Sequence, residues 1–485
     1  MVGSIENPED DRQMMGTTSL LRPMSLAVLM ILATMQGCLS GNEDVDVRIA
    51  PLTIDLMDPD GLTLRGGEWH ELRVAADPGS VIRGATNLLL FDGGRFLPNA
   101  TYTVTDPLTD LRMLTLPMSN ATSLDVVLPD GQVNRHLFDV SRGDPIVNGS
   151  DWYDKMDHIL SVCADNTECG GYVNRWMGSP NPAFERAAVY FQGHFDGLGY
   201  DTHLLRVLDH QNPSQPESLN MIAWKEGRRD DCVQGMGSHM DIMPPVAPGI
   251  QGGGTYEGAY DNTGGTVSMM LFARVLIDLD LECDTFLALW SSEEEGLRGS
   301  NAFANNDCEY CLPSDKELRF YINMDMMGIS YPAVKPNGDY YPYHAWSGPD
   351  EDPQVNERAI TEIMEHVHFE MIGAPRDLRI DGTYGAGCDQ HWEDHEDLVL
   401  DVHEDTFGRS DHVTFRDLGA QTIFHLGAYD EDYSAYHSLD DTLDNMVEVV
   451  GGQEELENSL EFVMWAALLE FILADATPEV RNING

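Results

Sequence analysis

Apolar and polar positions change rhythm near residue 150. From about Val45 to Gly143, short alternating runs (HELRVAA, TNLLLF, TYTVT, LRMLTL, SLDVVL) are separated by Pro, Gly, Asn and Asp, the spacing of a small all-β, sandwich-like domain. No catalytic cluster lies in this stretch, so its expected role is accessory, as a spacer or adhesion module, with substrate recognition as the alternative. The stretch SRGDPIVNGSD reads as a turn-rich linker, and its Arg-Gly-Asp as a loop coincidence.

After about Asp151, helical periodicities alternate with apolar strands, the pattern of an α/β layer fold. Apolar residues at 184, 187, 188, 191, 195 and 198 give Ala183 to Leu198 a helical face. Strands are predicted at Leu219 to Trp224, Val233 to Ser238, Thr285 to Ser291, Arg319 to Met324 and Thr422 to Leu426. Helices are predicted at Thr263 to Asp278, Leu297 to Ala304, Gln354 to Glu370 and Glu454 to Ala474. The sheet therefore has at least five strands.

Arg12 and Arg22 precede an apolar run from Ser25 to Met35, which matches a secretory leader and is shorter than the roughly 20 residues that span a bilayer. Gly37-Cys38 at its end resembles a lipoprotein processing site, with Cys38 carrying the lipid; an uncleaved signal anchor, or cleavage leaving Cys38 free, are the alternatives. The expected organisation is a leader and tether over 1–44, the β-domain over 45–143 and the α/β domain over 151–478. The expected location is extracytoplasmic, secreted or anchored to the outer face of the membrane.

The 485 residues carry 82 Asp and Glu against 28 Lys and Arg, a formal charge of −54, and the lysines are Lys155, Lys225, Lys316 and Lys335 alone. Such a field excludes nucleic acid and anionic membrane surfaces as partners, leaving membrane association to a lipid on Cys38 or an uncleaved anchor. With 42% hydrophobic residues the chain still builds a core, so the acid excess sits on a solvated surface. Cysteine usage fits export: local bridges Cys163–Cys169 and Cys308–Cys311 are expected, Cys232 and Cys283 join neighbouring segments, and Cys388 is left over. Sequons at Asn99, Asn120 and Asn148 agree with export but are short motifs.

Ligand-type residues cluster at the C-terminal ends of the predicted strands, where open α/β sheets place their sites. They are His239 and Asp241 in GSHMD, Asp261 in GAYDNTGG, Glu293, Glu294 and Glu295 in SSEEEGLRGS, Asp325 in NMDMMG, and His437 and Asp441 in YHSLDDTLDN. Singly each is weak, since a strand-ending histidine is usually only hydrogen-bonded and an acidic run is usually solvated. Together they supply two imidazoles and several carboxylates, a ligand set for zinc or a similar divalent ion. His391 and His395 in HWEDH lack the HExxH spacing and read as a solvated acidic loop.

The ordered motifs HxD, D-N-x-x-G, E-E-x-G-L-R-G-S, N-x-D-M-x-G, S-D-H and Y-H-x-x-x-D-T-L-D-N, over roughly residues 185 to 475, resemble the co-catalytic zinc aminopeptidase family, which includes bacterial leucyl aminopeptidases, plasma glutamate carboxypeptidase and the related glutaminyl cyclases. The resemblance implies a phosphorylase/hydrolase-like α/β/α sandwich with a central mixed sheet. It also implies two Zn²⁺ bridged by Asp261, with His437 and Glu294 completing one site and His239 and Asp325 the other. Glu293 would then be the general base and Asp241 would orient His239. Two departures stand out. Tyr260 occupies a place where many relatives carry an acid, and a long stretch between Asp325 and His437 elaborates the site's mouth. His412 is expected to support the site without ligating. Asp441 is expected to fix the His437 tautomer or to cap a helix. Because Glu293 and Glu294 are adjacent, the strand end is expected to turn locally so that one meets metal and the other water.

The implied function is an exported metallo-aminopeptidase acting on peptides. A carboxypeptidase or dipeptidase, or a glutaminyl cyclase, would use the same scaffold, and a receptor with a dead peptidase domain is the alternative from another class. Such receptors lose ligands, whereas all five are present here.

Overall fold

The computed structural model describes residues 54–56, 63–161, 171–177, 181–208, 216–244, 256–306, 308–329, 344–347, 362–364, 366–372, 380–381, 402–404, 410–427 and 433–478. The leader with Cys38, the bridge Cys163–Cys169, Cys388, His391 and His395 lie outside them, as does most of the helix expected over Gln354 to Glu370.

Ten strands come first: β1 Ile54–Leu56, β2 Thr63–Gly66, β3 Trp69–Ala75, β4 Val81–Gly84, β5 Leu88–Asp92, β6 Arg95–Phe96, β7 Thr101–Thr103, β8 Leu108–Thr115, β9 Ala121–Val127 and β10 Val133–Arg142. Among the described residues they form two five-stranded sheets, ordered β1-β3-β8-β5-β6 and β2-β10-β9-β4-β7. Alternation decides what each face covers. Leu88, Leu90, Leu111 and Met113 of the first sheet share a core with Ile82, Leu124, Val126 and Phe138 of the second. The opposite face of the first sheet sends Leu89, Phe91 and Leu114 into the main core beside Val147, Trp152 and Trp465. Leu52–Gly485 consequently forms one compact unit.

The segment read as a linker contains the start of α1 (Gly149–Leu160): the Asn148 side chain caps it by accepting from Asp151 N, and Trp152, Met156, Ile159 and Leu160 face the core. This capping role buries Asn148. Then follow α2 (Pro182–Leu198), β11 (Asp201–Leu208), β12 (Pro216–Lys225), β13 (Arg229–His239), α3 (Gly264–Leu276), β14 (Cys283–Trp290), α4 (Arg298–Asn305) and β15 (Glu317–Asp325). The chain continues through β16 (His344–Ser347), β17 (Ile380–Asp381), β18 (Val402–Glu404), α5 (His412–Arg416), β19 (Gln421–Leu426), α6 (Leu443–Val450) and α7 (Gln453–Ala476).

β11 to β19 build a mixed sheet of nine strands among the described residues, ordered β11-β12-β14-β13-β15-β19-β16-β18-β17. β13 runs parallel to both β14 and β15. The chain moves from β13 to β14 on one side and then crosses to β15 on the other, which makes the C-terminal end of β13 a topological switch point. Both faces are covered. Phe286, Ala288 and Trp290 of β14 pack with Phe303 of α4 and Phe415 of α5. Leu287 and Leu289 point the other way, towards α3 and α7. α3 is buried almost all round, as its apolar sequence requires. Disulfides join Cys232 to Cys283 and Cys308 to Cys311, as expected. No helix among the described residues is long and apolar enough to cross a membrane.

Candidate metal-dependent active site

Five chain segments converge beyond the C-terminal ends of β13, β14 and β15. His239 ends β13 and Asp325 ends β15. Asp261 sits in a single π turn, Ala259–Thr263, that leads into α3. Its neighbour Asn262 fixes the approach, donating through Nδ2 to Ser238 Oγ (3.0 Å) and Met324 O (2.8 Å) and accepting from Gly265 N (3.0 Å). Gly265 has to be glycine, because a Cβ there would lie 2.5 Å from both Asn262 Oδ1 and Ser238 Oγ.

Two triads result and share one carboxylate. His239, Asp261 and Asp325 form the first; Asp261, Glu294 and His437 form the second. His239 Nε2 lies 3.1 Å from Asp261 Oδ1 and 3.2 Å from Asp325 Oδ1. On the other side, His437 Nε2 lies 3.0 Å from Asp261 Oδ2 and 3.1 Å from Glu294 Oε2. The first triad is deeply buried, while His437 keeps 24% of its side-chain exposure, so the cluster opens to solvent on that side.

The backbone is bent into unusual shapes around these donors. Ser292, Met326 and His437 all have positive φ, at 62°, 59° and 51°. Non-glycine residues held there store strain and gather at functional sites. At Ser292 the turn does what the adjacent glutamates require: it breaks the strand alternation, and Glu293 O then accepts from Gly296 N and Leu297 N.

Two buried carboxylates clamp these segments from behind. Asp241 Oδ1 accepts from Glu293 N (3.3 Å) and Oδ2 from Glu294 N (3.4 Å). His239 Nδ1 faces the main-chain oxygen of Asp241 at 3.1 Å and its Oδ1 at 3.6 Å, so Asp241 fixes that imidazole chiefly through its backbone. Asp441 accepts from Tyr260 N, Asp261 N and the Tyr433 hydroxyl. It thus takes neither of the two roles expected of it, and Thr442 is the residue that caps α6. Tyr260 is buried, donates to Ile329 O at 3.1 Å and packs edge-on against Tyr433. His412 stacks on Phe424 at 4.3 Å and belongs to neither triad.

Charges crowd the cluster. Burial raises Glu293 well above the usual carboxylate range against the pull of His239, and Asp325, Glu294 and Asp411 push it further. Burial and then Asp261 lift Glu294 to about 7. Burial works to lower His437, but hydrogen bonds to Asp261 and Glu294 outweigh it and hold the imidazole at about 10. Groups so strongly perturbed beside a solvent-facing opening make this cluster the candidate functional site.

Sequence reasoning missed two residues here. The Tyr436 ring stacks on His437 at 3.7 Å, and its hydroxyl is raised by burial and by the Asp261, Glu294, Asp325 and Glu293 carboxylates. Its position beside a motif histidine was a usable signal. Arg175 had none, since its partners are main-chain oxygens and a hydroxyl.

A model of Peptidase family M28 matches residues 220–367, the stretch that runs from β12 through the His239, Asp261, Glu293, Glu294 and Asp325 segments. The resemblance to the metallo-aminopeptidase family stands. Over 268 residues the chain is 24% identical to leupeptin-inactivating enzyme 1 of Streptomyces exfoliatus, covering 54% of this chain and 46% of that one. Over 129 residues it is 29% identical to aminopeptidase Y of Saccharomyces cerevisiae, covering 27% and 20%. The chain therefore spans less than half the length of these relatives. The Legionella pneumophila LapA aminopeptidase superposes with a TM-score of 0.46 at 18% identity, over 68% of this chain and 72% of that one.

Proposed function

We propose that this protein is an exported M28 exopeptidase that removes residues from the free N-termini of peptides and holds two Zn²⁺ ions. One observation carries the reading: Asp261 presents one carboxylate oxygen to His239 and the other to His437. The donors suit the ions. Glu294 Oε1 is buried without a hydrogen-bond partner, and the carboxylates and imidazoles converge with lone pairs facing one another. His239 and Asp325 would hold one ion, Glu294 and His437 the other, and Asp261 both. Bound there, the ions would supply an acidified water and a polarised substrate carbonyl.

The chain's own groups do the rest. Glu293 is held beside the triads by the Asp241 clamp and takes a proton from the attacking water as its oxygen adds to the peptide carbonyl carbon. The C–N bond then breaks, and Glu293 passes that proton to the departing amine. Tyr436, stacked on His437, donates a hydrogen bond from its hydroxyl to the carbonyl oxygen as negative charge develops there and keeps its proton throughout. The nine-stranded sheet is read as the hydrolase-like α/β/α layer, and residues 45–143 as a sandwich-like accessory domain. The two disulfides and the leader-like run from Ser25 to Met35 support export.

The test is mass spectrometry of a peptide library with free and N-acetylated ends after incubation with zinc-loaded protein. Stepwise trimming of the free-ended set alone is the expected result. Loss from C-termini, cleavage of dipeptides only, or ring closure of N-terminal Gln would overturn the choice of reaction while leaving the metal site in place.

A further inference from the structure

Arg175 is completely buried and, among the described residues, is held by oxygens that carry no formal charge. Nε donates to Met240 O at 2.9 Å. One terminal nitrogen donates to Tyr172 O, and the other donates to Thr263 Oγ1 and to Glu257 O. The Arg175 main-chain oxygen accepts in turn from Ile242 N at 3.3 Å, and Asn174 N donates to Tyr256 O at 2.9 Å. The segment around Arg175 is thus tied to two others on both its backbone and its side chain.

Those two segments are the ones that present His239 and Asp261. Met240 lies between His239 and Asp241, while Glu257 and Thr263 stand on either side of Asp261. Glu257 extends the web through Oε2, which accepts from Leu443 N at the start of α6, just beyond the His437 loop. The charges acting on the guanidinium from further away are Asp241, Asp441 and Glu257, and the first two are the clamps behind the donor segments. A buried cation without a paired anion is costly, and a hydrophobic side chain of similar volume would serve packing better. Its place at the junction of the donor segments therefore calls for a positional reason, which the rigid five-donor fork of arginine provides.

We propose that Arg175 is a positioning residue that sets the separation of His239 and Asp261. It locks the exit of β13 to the turn before α3 so that the first triad is preformed. This rests on the reading of the triads as metal sites. A guanidinium that bridges three segments resists their drifting apart, whereas a side chain making one contact would not.

The experiment uses the full chain and compares Arg175→Met, Arg175→Lys and Leu469→Ala, the last a buried apolar change in α7 at a residue of neither triad. Zinc affinity is measured by chelator competition, the cobalt-substituted protein by its visible spectrum, and folding by thermal melts. The expected result is that Arg175→Met loses tenfold or more in affinity at one of two sites and alters the cobalt bands. Arg175→Lys recovers part of both, and Leu469→Ala lowers the melting temperature without changing either. Wild-type affinity and spectrum in Arg175→Met would overturn the proposal, as would equal losses in Leu469→Ala. Should Arg175→Met not fold, Thr263→Val removes the hydroxyl that accepts from the guanidinium and decides the matter by the same two readouts: weaker binding supports the proposal and unchanged binding overturns it. Wild-type protein that binds neither zinc nor cobalt would remove the metal reading and this inference together. Two tightly bound ions in both wild type and Arg175→Met would remove this inference alone.

Discussion

The Asp441 carboxylate receives the main-chain N–H groups of both Tyr260 and Asp261, at 2.9 and 3.1 Å, from the far side of the residue whose side chain joins the two triads. Asp241 does the same for Glu293 and Glu294. Each pair of neighbouring backbone amides is gripped by a buried acid, which fixes the main chain that carries Asp261, Glu293 and Glu294. Asp441→Asn keeps one acceptor and turns an N–H towards the other amide. The expected cost is about 1–3 kcal/mol of stability, with faster loss of metal to a chelator. Thermal melts and metal analysis after dialysis check both, and undiminished retention of two ions would show that the clamp does not set Asp261.

Glu293→Gln removes the proposed proton acceptor and leaves both triads intact. Turnover should fall by about 10²–10⁴, with bound metal at the wild-type level. Losing both ions in this variant would contradict the assignment of Glu293 to the chemistry.

Asp261→Ala removes the shared donor. Metal content should drop at both sites together, which elemental analysis reads directly. Unaltered content would sink the choice of bridge.

Asp475, on α7, gives a pH prediction away from the site. Burial raises its carboxyl to about 6, against Gln234 and Glu282 N–H groups that donate to Oδ1. A raised folded-state value means that the fold binds the proton more tightly than the unfolded chain does. This group's contribution is therefore most favourable below about pH 4 and is lost as pH rises through 6. Asn keeps Oδ1 for both donors, so Asp475→Asn should stabilise the protein by up to about 3 kcal/mol at pH 7 and by much less at pH 4. Denaturant melts at the two pH values test this, and a pH-independent difference would contradict it.

Removing residues 1–145 should lower the melting temperature and expose an apolar face, because Leu89, Phe91, Leu114 and Leu116 share a core with Trp152 and Trp465. The contact of Gly94 O with Asp280 N lies beyond the C-terminal end of α3, about 20 Å from its site end by helix rise. Activity per folded molecule should accordingly stay near that of the full chain. A folded but inactive fragment would assign the β-domain a part in substrate recognition.

His239 and Asp325 were legible because they end strands, Glu294 because it follows one closely, and Asp261 and His437 because they stand in turns that open helices, places where composition and periodicity change together. The helices and strands of the layer fold were legible for the same reason. Asp441 stood out in its motif but its role did not, since acceptance from a main-chain amide leaves no mark on side-chain spacing. α1 was hidden because Asn148, its cap, stands among turn formers, although Trp152, Met156, Ile159 and Leu160 repeat at helical spacing. β16 to β18 extend the sheet beyond β19 as strands of two to four residues, too short to show alternation.

The donors are scattered from residue 239 to residue 437, and the strands beneath them pair in parallel out of sequence order. Contacts so distant along the chain are slow to close. Divalent-ion uptake during refolding is then a clock for that step: the sheet can recover its circular dichroism while the ion is still free, and the delay between the two signals measures how long the chain takes to bring its C-terminal third home.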